Sequence, residues 1–132
     1  MTEQYAKVSA ICASILPYSG AYQEIRVKAL GTGEITLERF TQDMRIADDK
    51  FAQAIADLKA IRFSRMGQRA ALAKLISGFQ SFRHGIAASI KGAAGSDAKA
   101  WQTAEQFYTR ATKSSAEYFD HAYKDRMKGV GV

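Results

Sequence analysis

Apolar residues recur at steps of three and four along nearly the whole chain, and a two-residue alternation is sustained nowhere. That period places them on helix faces, so the chain must bury helical stripes against one another. With 47% hydrophobic residues, 132 residues and a single proline, it has enough apolar surface for one core. The expected fold class is all-α, an antiparallel up-down four-helix bundle forming a single helical domain over residues 1–132.

Four segments carry the pattern. In the first, Val8, Ile11, Ile15, Tyr18, Tyr22, Ile25 and Ala29 follow a heptad-like seam. Pro17 interrupts it sterically, but the seam stays in phase, which predicts one helix kinked at Pro17. The second starts near Thr36, a suitable N-cap, and carries Phe40, Met44, Ala47, Phe51, Ala54, Leu58 and Ile61. The third carries Leu72, Leu75, Phe79, Phe82, Ile86 and Ile90 in the same heptad frame. A turn at Gly67 is expected between the two, since one helix over residues 36–91 would be about 84 Å long. No Ser, Thr, Asp or Asn stands at 67–69 to cap a new helix, so the long helix remains the alternative. Gly92 to Asp97 closes the third segment, with Ser96 expected to cap the fourth, whose seam is Ala104, Ala111, Ser115 and Ala122.

The third segment holds glycine at 78, 85 and 92, one every seventh residue. Each interior glycine costs about 1 kcal/mol relative to alanine unless its missing side chain is used. On a helical wheel Gly78, Ser81, Gly85, Ala88 and Gly92 form one narrow stripe, about 130° from the large apolar residues. The expected use is close packing against the small seam of the fourth helix. The alternative is an assembly surface through which the protein self-associates or captures a partner.

Charge is uneven. Residues 58–96 carry Lys59, Arg62, Arg65, Arg69, Lys74, Arg83 and Lys91 with no acid, a balance of +7 in a chain of net +6. Cations at the end of the second helix complement its dipole, but Arg69 would open the third helix at the unfavourable end. A solvated face normally mixes both signs. The segment therefore points to an anionic partner, with Arg62, Arg65, Arg69, Arg83 and Lys91 as candidate contacts. Phe63, Phe79 and Phe82 are interleaved with these cations, but the latter two fit the apolar seam.

Motifs for chemistry are missing. The helix-bundle Glu-x-x-His pattern, a Cys-x-x-Cys-His, a nucleophile elbow and a phosphate loop are absent, and Glu117 with His121 one turn on is too little for a metal site. No cofactor or metal is expected. Cys12 is the only cysteine, so no intramolecular disulfide can form. "VSAICASIL" before Pro17 has some likeness to a secretory core, but Glu3, Ser9 and Ser14 dilute it, and a cytoplasmic location is expected. No run reaches the ~20 apolar residues of a membrane span. Tyr118, Phe119 and Tyr123 straddle the last helix, so at least one ring should face solvent.

The expected function is a non-enzymatic basic accessory subunit that binds RNA or DNA phosphates, alone or within a larger nucleoprotein assembly. The alternative is a structural or adaptor protein that forms a homo-oligomer or captures an acidic protein through the small-residue stripe.

Overall fold

A computed structural model describes residues 2–129. Within them all regular structure is helical, with α1 at Thr2–Ile15, α2 at Gly20–Gly31, α3 at Leu37–Lys59, α4 at Met66–Gly95 and α5 at Ala98–Gly129. The three long helices α3, α4 and α5 pack antiparallel, and α1 and α2 together take the fourth position of the bundle.

The core lies where the predicted stripes meet. Phe40, Met44, Phe51 and Leu58 of α3 and Leu75 and Ile86 of α4 are fully buried. The Phe51 ring stacks on Phe82 at 4.9 Å between centroids and meets Phe79 edge-on at 5.5 Å. Phe63 joins the core as well, against Tyr5 at 5.1 Å.

The glycine stripe faces α5. A Cβ on Gly78 would lie 2.7 Å from Ser115 Oγ and 3.0 Å from the Ala111 carbonyl oxygen. On Gly85 it would meet the Tyr108 ring at 2.5 Å, and on Gly92 the Trp101 ring at 3.0 Å. Residues 115, 108 and 101 descend in sevens as 78, 85 and 92 ascend, the register of an antiparallel pair. The glycines are notches that seat two large rings and one backbone turn of α5. Ser81 and Ala88 on the same stripe are half-buried.

Thr36 caps α3 as the sequence predicts, its hydroxyl accepting from Arg39 N at 3.1 Å. The next break falls at residues 60–65, earlier than Gly67, which lies inside the first turn of α4. Two side chains explain the shift. Gln68, third residue of α4, reaches back so that its Oε1 accepts from Arg65 N at 3.3 Å, the backward half of a capping box, which pins the chain where it enters the helix. Arg69 Nη1 donates to the carbonyls of Phe63 and Ser64, which fixes the loop. Ser96 does not cap α5: it ends α4 in the left-handed conformation at φ 50°, and Asp97 caps α5 by accepting from Lys99 N and Ala100 N.

The first segment is broken, not kinked. α1 stops at Ile15, Leu16–Tyr18 form a 3-10 turn, and Ser19 is extended before α2 begins. Pro17 has no N–H to continue the α ladder, and its ring collides with the carbonyl four residues back. A 3-10 turn advances about 120° per residue against about 100° in an α-helix, so the break rotates the seam. As a result Gln23 is buried, Val27 and Leu30 are half-buried, and Ile25 is 59% exposed.

Candidate functional site

Four elements meet at one end of the bundle: the start of α1, the end of α3, the start of α4 and the end of α5. Asp125 of α5, whose side chain is only 14% exposed, ties α1, the start of α4 and the turn before it together there. Tyr5 Oη donates to Asp125 Oδ2 at 2.6 Å, Gln68 Nε2 donates to the same oxygen at 3.0 Å, and Arg65 Nη2 lies 3.3 Å from Oδ1. The Tyr5 and Gln68 hydrogen bonds hold the Asp125 carboxyl below the usual carboxylate range. Burial, and then the bond to Asp125, push the Tyr5 hydroxyl up to about 12. The carboxylate also faces the positive N-terminal end of α4, which offsets the cations placed there.

Around this anchor the surface is basic. Lys7, Lys59, Arg62, Arg65 and Arg69 lie at this end on α1, α3, the α3–α4 turn and the first turn of α4, and Lys124, Arg126 and Lys128 on the end of α5. They outnumber the acids of the same end, Glu3, Asp57, Asp120 and Asp125. A cleft of about 460 Å³ between α1 and the end of α3 is bordered by Gln4, Lys7, Ile61 and Arg62. Among the described residues, no hydrogen bond or ion pair holds the side chains of Lys59 and Arg62.

The five predicted contact residues divide. Arg62, Arg65 and Arg69 belong to this basic end. Arg83 lies half-way along α4 in a two-pronged pair with Asp48 of α3, at 2.9 Å and 3.2 Å, and the Asp48 hydrogen bond raises its pKa. Lys91 is exposed near the far end of α4, 22 residues or about 33 Å beyond Arg69. Lys74 pairs with Glu117 of α5 at 2.7 Å. The acid-free segment thus draws its counter-charges from the helices on either side, a relation that a linear charge count cannot show.

The other flagged residues find ordinary places. Glu117 is held by Lys74, and the His121 ring lies beside Gly67. Among the described residues no group of three or more His, Cys, Asp or Glu is placed to hold a metal ion, and no helix is long and apolar enough to cross a membrane. Burial pushes the Cys12 thiol up to about 11, away from thiolate chemistry. Of the three aromatic residues near the end of α5, Tyr118 is buried while Phe119 and Tyr123 are 47% and 64% exposed.

One feature lies outside the sequence expectations. At the other end of the bundle α2 leans on α3, where Arg26 and Arg39 both bind the buried carboxylate of Asp43 at 2.8 and 3.0 Å. Its other side leaves a groove of about 970 Å³ against α5, lined by Gln23 and Val27 from α2 and by Trp101, Ala104, Tyr108 and Thr112 from α5. Gln23 is 2% exposed, yet among the described residues neither atom of its amide has a hydrogen-bond partner. An unpaired buried amide costs about 1–3 kcal/mol.

No family model matches the chain, and no curated protein or solved structure is similar to it.

Proposed function

We propose that the protein is a non-enzymatic binding module that contacts nucleic-acid phosphates through the basic end of its bundle. The observation that carries this reading is the convergence there of cations from four separate elements, with Lys59 and Arg62 unengaged. Arg65 and Arg69 are tethered to Asp125 and to loop carbonyls, and a guanidinium with five donors keeps some for a phosphate while its position is fixed. The contacts are to the backbone, so they supply charge and orientation and carry no sequence reading.

The test is fluorescence anisotropy of a labelled oligonucleotide at about 50 and 200 mM salt. Binding should weaken steeply with salt. Lys59→Glu with Arg62→Glu should lower affinity about tenfold or more and reduce the slope of log affinity against log salt by about 2. Lys91→Glu should change little. Equal losses from Lys91→Glu, or an affinity indifferent to salt, would overturn the reading.

A further inference from the structure

We infer that the exposed rings of Phe119 and Tyr123 form a stacking platform for unpaired bases, which makes single-stranded nucleic acid the class of ligand for the basic end. This inference rests on the phosphate reading above, and its test separates the two.

Of the chain's one tryptophan, six tyrosines and seven phenylalanines, only Phe119 and Tyr123 are exposed; the others are buried or half-buried. Single exposed apolar residues need no explanation, but these two adjoin, one turn apart on the same face of α5. Both stand at the basic end. The Phe119 ring is held edge-on by buried Tyr118 at 5.2 Å. Tyr123 has no ring contact or hydrogen bond among the described residues, so its face is open.

The two rings border a cleft of about 420 Å³ between α1 and the end of α5, which Tyr5 and Ser9 close on the α1 side. Arg126 lines the same cleft. It is exposed and, among the described residues, no ion pair or hydrogen bond holds it. A cation in that position meets the phosphate next to a stacked base. Aromatic faces beside unengaged cations bind single strands without sequence reading.

Spacing favours an opened strand over a duplex. Four residues separate the rings, about 6 Å along the helix axis, against the ~3.4 Å rise of stacked bases. A duplex keeps its bases at that rise with their faces covered, whereas a single strand can lay one base on each ring. Charge selects an anion, and the ring faces select one that carries a flat group at every repeat. A phosphate-linked strand has that form and an acidic peptide does not.

The test is fluorescence anisotropy at low salt with three labelled probes: an oligothymidine of about 10 nucleotides, the same strand with its bases removed, and a duplex. The wild type should bind oligothymidine about tenfold or more tighter than the abasic strand, which carries the same charge. Tyr123→Leu should cost about tenfold on oligothymidine and leave the abasic strand, the duplex and the salt slope unchanged. Phe119→Leu should act in the same way, while Tyr123→Phe, which keeps the ring, should bind as the wild type does. Equal binding of both strands with a steep salt dependence overturns the platform and leaves the phosphate reading standing. No binding of any probe overturns both. A Tyr123→Leu loss that comes with dissociation of a dimer in sedimentation also overturns the platform, since the rings then join two copies.

Discussion

The two halves of the fourth bundle position are built differently, although the same broken segment supplies both. α1 is tied to the rest through Tyr5, which touches Phe63 with its ring and Asp125 with its hydroxyl, so that the bundle is closed there by both apolar and polar contacts. α2 is tied to α3 through Asp43 but leaves its α5-facing side open, with an unsatisfied glutamine at the margin. Charge differs as well: the cations of the closed end outnumber its acids, while at the open end Arg26 and Arg39 are matched by Asp43 and Lys28 by Glu24. A bundle with one sealed end can hold a rigid charged surface there and tolerate a hollow at the other.

Removing the seal gives the largest effect. Asp125→Ala leaves Tyr5, Gln68 and Arg65 without their shared acceptor and should cost about 3 kcal/mol in chemical denaturation. Glu24→Ala at the open end breaks only an exposed pair with Lys28 and should stay within about 0.5 kcal/mol. Next comes the wall of the groove. Gly85→Ala drives a methyl into the Tyr108 ring, and overpacking of about 1–3 kcal/mol should outweigh the ~1 kcal/mol gain in helix propensity. The same substitution at Gly20 meets nothing within 4 Å and should be neutral or slightly stabilising by melting temperature.

Gln23→Leu sharpens the comparison in the opposite direction. Replacing an unsatisfied buried amide with an apolar side chain should stabilise the protein by about 1 kcal/mol. A loss of stability would show that Gln23 is satisfied in solution, for instance by a bound water.

The smallest effect concerns acid. Asp125 has a lowered pKa in the folded state, so its contribution is complete above the ordinary carboxylate value of about 3.9 and fades as pH falls from there through the folded value. Asp125→Asn should therefore show a shallower loss of stability than the wild type in acid titrations below about pH 4. An unchanged acid limb would remove Asp125 from this role.

Much of this was legible in the sequence, and the failures have identifiable causes. The stripes of α3 and α4, the Thr36 cap and the glycine register depend on local period and residue size, which a sequence displays directly. The turn at residues 60–65 differs from the expected one at Gly67 because α4 starts without a side-chain N-cap and its entry is fixed by Gln68 and Arg69 reaching back to Arg65 N and to the carbonyls of Phe63 and Ser64. The groove was hidden because the 3-10 turn at Pro17 rotates α2, which exposes Ile25 and buries Gln23, against the seam's phase. The pairing of Arg83 with Asp48 and of Lys74 with Glu117 joins residues far apart in the chain, so the basic segment read as freer than it is.

The most direct test of the division is an NMR titration of the assigned wild-type protein with an unlabelled oligonucleotide at low salt. Amide shifts should be confined to the basic end, around Lys7, residues 59–69 and residues 119–128, with the Trp101 indole unmoved. Shifts centred on Arg83, Lys91 or the groove, or none at all, would contradict it.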